Sequence, residues 1–269
     1  MKKNIFLSIV IIFMLSACVN ENKEDIVDTK NNKETEQAYE KAKMIFYSLP
    51  SPIEMAMIIE TANVEYTNEF LNPTSKVSHY STSKEMALNL GVYSADLSYT
   101  TLFDQKQETI NYLATSKKLA DQLGILNIIS DTTLQKIENN IEDKNKILNI
   151  VSETFMSSSA YLEENDRGET AALIVLGGWI EGLYLSVQLV GDSVKNNPDL
   201  VTIIYEQQFS LEDLIGLLEI YKKNKDIELL YEELKELKNI YSQIEEPINQ
   251  KDFDKLKSKI YEIRAEYVN

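Results

Sequence analysis

Residues 171–190 read AALIVLGGWIEGLYLSVQLV, apolar on every face and carrying one charge, Glu181. A helix of this composition has to be buried, either at the centre of a folded core or in a membrane. A glutamate near the middle of a span costs about 2.5–3.5 kcal/mol on insertion, so the stretch is read as the central helix of a bundle in water. Gly177, Gly178 and Gly182 would let neighbouring backbones come close.

Working outward, the rest of the chain also reads as helix. Leu134, Ile137, Ile141, Leu148, Val151 and Phe155 form one stripe on what reads as a single long helix. Leu230, Leu234, Leu237, Tyr241 and Ile244 form a second stripe, and Phe253, Leu256, Ile260, Ile263 and Tyr267 a third. Helix starts are signalled at Ser51-Pro52-Ile53-Glu54, Thr82-Ser83-Lys84-Glu85, Asp166-Arg167-Gly168-Glu169, Asn197-Pro198, Ser210 with Asp213, and Asn249 with Asp252. Gly124 and Gly191 fit left-handed stops. The run VTIIY at 201–205 is the best strand candidate, but Asn197-Pro198 before it favours helix. The expectation is an all-α antiparallel bundle of eight or nine helices within one domain, residues 38–269.

The bundle also reads as a duplication. Leu90-Gly91-Val92-Tyr93-Ser94-Ala95-Asp96-Leu97 aligns with Leu176-Gly177-Gly178-Trp179-Ile180-Glu181-Gly182-Leu183, with Leu, Gly, an aromatic and a second Leu in register. Each segment follows an aromatic-Leu pair, Phe70-Leu71 or Tyr161-Leu162, expected at the end of a helix. Units of about 51–125 and 131–205 with a C-terminal helical pair account for the pattern. They predict that the helix over 87–101 packs on residues 171–190 about a pseudo-twofold axis.

The amino terminus reads as an export signal. Lys2 and Lys3 precede an apolar run over 5–14, too short to span a bilayer comfortably, and Leu15-Ser16-Ala17-Cys18 follows. That quartet resembles the lipobox of bacterial lipoproteins. The resemblance covers the leader alone and implies removal of residues 1–17, lipidation of Cys18 and attachment to a membrane. Cys18 is the only cysteine, so the mature chain would hold no disulfide. Residues 18–37 are polar and aperiodic, as expected of a tether. Glu21, Glu24 and Asp25 are similar to the acidic sorting residues of surface lipoproteins in some Gram-negative bacteria. The chain as a whole resembles uncharacterised helical lipoproteins of the Bacteroidetes type, which implies an envelope location, the outer membrane rather than the inner, and brings no activity with it.

Charge narrows the partners. The formal net charge of −16 becomes −18 once a leader holding two lysines and no acid is removed. So acidic a chain lacks the Lys/Arg stripe needed for phosphate backbones or anionic headgroups, which excludes nucleic acid as an expected partner. Peptide, carbohydrate or another envelope protein remains.

The sharpest candidate for chemistry is the pair Asp96 and Glu181, each on an apolar helix near aromatics: Tyr93 and Tyr99 for the first, Trp179 and Tyr184 for the second. Two carboxyl groups sharing a low-dielectric site would drive one pKa upward and could serve as general acid and base. The alternative is that both are structural. His79, the only histidine, reads as a solvated loop residue. No zinc or di-iron ligand set, glycine-rich phosphate loop or G-x-S-x-G turn is present in the sequence, and no cofactor is expected. Ser157-Ser158-Ser159 reads as a site of close helix packing. The fifteen tyrosines suit either internal packing or an aromatic-lined binding groove. The expected function is a lipid-anchored helical binding or scaffolding module, with a hydrolase or small-molecule site built on Asp96 and Glu181 as the alternative.

Overall fold

A computed structural model of the chain describes residues 40–45, 48, 49, 57, 59, 60, 64–125 and 130–269. The leader, Cys18, the tether and the box at Ser51 lie outside the described residues. Among the described residues there are no strands. After a 3-10 turn at Thr74–Ser78 come α1 (Ser83–Leu102), α2 (Lys106–Gln122), α3 (Asp131–Asn139), α4 (Lys144–Glu164), α5 (Gly168–Val190), α6 (Pro198–Tyr221), α7 (Lys225–Tyr241) and α8 (Gln250–Val268).

Two helices, α1 and α5, have no solvent face for most of their length, and they form the most extensive interface among the described helices. Around α1 stand α2 and α4; around α5 stand α4, α6 and α8. The amphipathic α7 covers α6 and α8, and α3 bridges α2 and α4. The only described helix long and apolar enough to cross a membrane is α5, and 83% of its apolar window is buried inside the bundle. Each fully buried Leu, Ile or aromatic side chain contributes about 1.5–3 kcal/mol relative to exposure, so the core made by these two helices dominates the stability of the domain.

Glycine sets how closely α1 and α5 approach. A Cβ on Gly91 would lie 2.0 Å from the Ile174 carbonyl oxygen and 2.6 Å from the Gly178 nitrogen; on Gly177 it would lie 1.9 Å from the Leu88 carbonyl oxygen. The contacts are reciprocal: each glycine meets the carbonyl three residues before the other. Only a residue without Cβ permits backbones this close.

Capping chemistry places most helix starts. Thr82 and Glu85 exchange the two hydrogen bonds of a capping box at α1. Asn197 caps α6 with Pro198 in its first turn, and Asn249 caps α8. Gly124 and Gly191 end their helices at φ of +69° and +74°. Residues 201–205 lie inside α6.

Four local expectations are corrected. The stripe from Leu134 to Phe155 belongs to two helices, because the chain turns at residues 140–143 and Asp143 caps α4 afresh. Ser210 starts nothing; α6 runs through it, its side-chain cap signal outweighed by apolar residues that continue on both sides. Asp166 does not cap α5. It adopts a left-handed turn at φ 57°, and the neighbouring Arg167 donates to the carbonyl of Leu123 at the end of α2, at 2.8 Å. Phe70-Leu71 does not end a helix either, since residues 64–73 form an irregular segment held by side chains of α1 and α2.

Candidate functional site

Asp96 and Glu181 face each other where α1 crosses α5, and both are fully buried. The crossing is held shut by Gly91 and Gly177, located one to two turns earlier on each helix. A third charge completes the cluster. Arg264, on α8, forks onto Glu181, with Nε 2.9 Å from Oε2 and a terminal nitrogen 3.0 Å from Oε1. This bidentate geometry is the strongest form of a guanidinium–carboxylate pair. The same terminal nitrogen reaches the Phe70 carbonyl at 3.4 Å, and the guanidinium carbon stands 4.4 Å from the centroid of the Tyr184 ring.

Two acids and one base in a dry site leave one negative charge too many. Burial first, and then the negative charge of Glu181, push the Asp96 carboxyl well above the ordinary carboxylate range, against the opposing pull of Arg264. Asp96 is therefore held as the neutral acid beside Glu181. Its Oδ2 accepts from the Asn72 backbone N–H at 3.1 Å, and no donor faces Oδ1, which suits the oxygen that carries the proton.

The irregular segment before the 3-10 turn closes the cluster on its remaining side. Asn72 is fully buried; its side-chain amide donates to the Tyr80 hydroxyl at 3.0 Å, and its carbonyl accepts from the Tyr112 hydroxyl at 3.1 Å. Tyr93 donates to the Pro73 carbonyl at 2.9 Å. Asn89, also buried, reaches the Tyr267 carbonyl at 2.6 Å, so α8 is fastened to α1 beside the same network. Burial raises the pKa of Tyr93 and Tyr112, which keeps both hydroxyls protonated as donors.

The sequence candidates thus separate. Asp96 and Glu181 do come together, and Tyr93, Tyr99 and Tyr184 lie on their helical faces at i±3. Tyr93 and Tyr99 show no exposure, Tyr99 taking the Thr67 N–H at 3.3 Å and stacking near Tyr66 and Phe103. Trp179, two residues from Glu181, projects from a different side of α5 and is also buried. Tyr184 is half-buried under Arg264, and its hydroxyl accepts from Gln188 at 2.7 Å. Tyr93, Tyr99 and Trp179 are thus built into the core, and Tyr184 lies half-buried beside Arg264. His79 is exposed at the end of the 3-10 turn, and no group of three or more metal-ligating side chains occurs among the described residues.

Sequence reasoning missed Arg264. It sits on an amphipathic helix rich in charge, and nothing in its neighbourhood marks it as the base that reaches Glu181. The available signal was arithmetic: a buried acid on an apolar helix requires a partner. It also missed a small cleft lined by residues of α1, α2, α3, α4 and α5, with Ser94, Ser116, Thr133, Thr154 and Ser158 in otherwise apolar walls. Comparison with protein-family models, with curated proteins and with solved structures finds no match to this chain.

Proposed function

We propose that this chain is a bacterial envelope lipoprotein, anchored through a lipid on Cys18, whose helical domain stays in water and works by binding or scaffolding. The observation that carries this reading is the placement of α5. The one described helix with the length and composition of a membrane span is enclosed by its neighbours, and Glu181, the single charge of its apolar stretch at residues 171–190, is matched by Arg264. Attachment would then fall to the lipobox-like Leu15-Ser16-Ala17-Cys18, with residues 18–37 as the tether. The acidic residues after Cys18 favour an outer-membrane, surface-directed fate.

The acid pair supports binding over catalysis. A general acid and base need a substrate within hydrogen-bond reach, whereas Asp96 and Glu181 are covered by Asn72, Arg264 and the crossing helices. Their proximity serves to lock α1, α5, α8 and the segment at residues 70–73 together. The reciprocal contacts of Gly91 and Gly177 support descent from a duplicated helical unit.

Cell fractionation tests the reading. The native chain should take up radiolabelled fatty acid and sediment with membranes after a high-salt wash. The Cys18→Ser chain should take up none and appear folded in the soluble fraction. A Cys18→Ser chain that remains with the membrane after the wash contradicts it.

A further inference from the structure

A second cleft opens where the connection into α6 meets the connection between α7 and α8. Its volume is about 240 Å3. That is more than the roughly 150 Å3 of a cavity that takes up benzene and less than the roughly 300–1,000 Å3 of sites for drug-sized ligands. A single ring or branched chain with a small polar head is the size of molecule that fits. The two connections are tied in place by their own hydrogen bonds. The Val194 N–H donates to Gln250 Oε1 at 3.1 Å, which fastens the connection into α6 to the first turn of α8, and the Asn196 side chain donates to the Val190 carbonyl at 3.2 Å. From the other connection, Ile248 is buried in the core one residue before the Asn249 cap of α8.

The lining combines an apolar surface with one charge of each sign. The apolar part is built from the buried Val201 and Ile248, the half-buried Tyr205 and the exposed Pro198. The base is Lys195, from the connection into α6, and the acid is Glu246, from the connection between α7 and α8. Both are exposed, and neither charged end has a partner among the described residues although the two line the same space. Their charges are therefore not spent on each other and stay available to a ligand.

We propose that this cleft binds a free amino acid with a hydrocarbon side chain. The ligand carboxylate pairs with Lys195, its ammonium group pairs with Glu246, and its side chain packs on Tyr205 and the aliphatic lining. A purely anionic ligand would be opposed by Glu246 in a chain whose net charge is already −16, and a purely cationic one would be opposed by Lys195. A neutral apolar ligand would leave both charges unused. A zwitterion satisfies the two together, whereas either end of a peptide supplies only one of them. The proposal deepens the binding reading above and rests on it, but not on the lipid anchor.

Titration calorimetry on the full Cys18→Ser chain, kept free of detergent, tests this with phenylalanine, phenylalaninamide, N-acetylphenylalanine and glycine as probes. Phenylalaninamide keeps only the positive charge and imitates the amino end of a peptide, while N-acetylphenylalanine keeps only the negative charge and imitates the carboxyl end. Phenylalanine should bind saturably. Each capped probe should bind at least about threefold more weakly, a step within the range of one exposed ion pair, and glycine, without a side chain to bury, at least about tenfold more weakly. Lys195→Gln should erase the preference for phenylalanine over phenylalaninamide, and Glu246→Gln the preference over N-acetylphenylalanine. Both substitutions are at exposed positions, so the fold should be undisturbed. Thr202→Trp, at an exposed position of the lining, should abolish binding by filling the space. No saturable phenylalanine binding, equal or tighter binding of either capped probe, unchanged preferences in the charge variants, or full affinity in a folded Thr202→Trp chain overturns the proposal. Such a failure leaves the anchored scaffold standing, and failure of the fractionation test leaves the cleft standing.

Discussion

Arg264 neutralises Glu181 where water cannot, through a bidentate pair at the buried crossing of α1 and α5. Removing one partner of a buried pair leaves an uncompensated charge and costs about 3–5 kcal/mol, and Arg264→Met should lower stability by that much in urea melts. Replacing both partners, Arg264→Met with Glu181→Leu, should recover much of the loss, since a buried pair exchanged for apolar groups of similar size is often neutral. If the double variant is no better than the single, the penalty does not come from the orphaned charge. Asp96 behaves differently because it is held protonated. A carboxyl whose folded pKa lies above its ordinary 3.8 contributes stability that is complete below that value and is lost as pH rises toward the folded value. Asp96→Asn keeps a donor toward Glu181 and an acceptor for Asn72 and no longer titrates. It should therefore gain on the native chain as pH rises from about 4 to 8, read as a flatter pH dependence of urea midpoints. An equal loss at all pH values would mean that Asp96 is ionised in the fold. Glu233, half-buried against Tyr267, follows the same sign. Burial first and then Glu266 and Glu262 raise it from 4.5 to about 7, opposed by the Tyr267 hydrogen bond and Lys259. Its stabilising contribution fades between those two values, and Glu233→Gln should remove that part of the slope. The acids of the central cluster were legible in the sequence because each interrupts an apolar run. Arg264, 83 residues from Glu181, was not, because one inward-turned base among many charges leaves no local mark.

At the scale of elements, the crossing of α1 and α5 depends on two glycines. Gly91→Ala or Gly177→Ala would place a methyl carbon about 2 Å from a backbone carbonyl oxygen of the facing helix, and neither backbone can yield without separating the helices. Overpacking of this kind costs about 1–3 kcal/mol and occasionally more, and here the upper end is expected, with Asp96 and Glu181 drawn apart as well. Gly216 on α6 is the control. Among the described residues its added methyl would meet the Ile45 side chain, at an ordinary 3.5 Å, so Gly216→Ala should stabilise by about 0.4–1 kcal/mol through the reduced entropy of the unfolded chain. Thermal melts of the three variants distinguish these outcomes directly, and equal effects at Gly91 and Gly216 would refute the close-contact account. Helix identity was readable from apolar spacing, and starts were readable where the cap is local, as at Thr82, Asn197 and Asn249. The turn at residues 140–143 was not, because Ile141 continues the apolar stripe while the backbone breaks. Asp166 misled for a related reason: the residues of a capping box were present, but the chain uses them to turn and to place Arg167 on the end of α2.

At the scale of the described molecule, the most apolar helix is enclosed by its neighbours over most of its length. Ala38–Asn269 form one compact unit, and within it α1, α4, α6 and α8 surround α5. That architecture was legible in residues 171–190 together with the apolar stripes of the later helices, since a helix apolar on all sides needs neighbours on all sides. The cleft among α1 to α5 could not be anticipated, because its lining residues come from five helices whose proximity sequence spacing does not reveal. Trp179, the only tryptophan, is built into α5 at 2% exposure and reports on this central claim without any label. The decisive measurement is its fluorescence in the full chain, reconstituted into vesicles whose acyl chains carry bromine and titrated with aqueous acrylamide. A protein core around α5 predicts blue-shifted emission that neither the brominated lipid nor acrylamide quenches. Strong quenching by the brominated chains would place α5 in the bilayer and contradict the account.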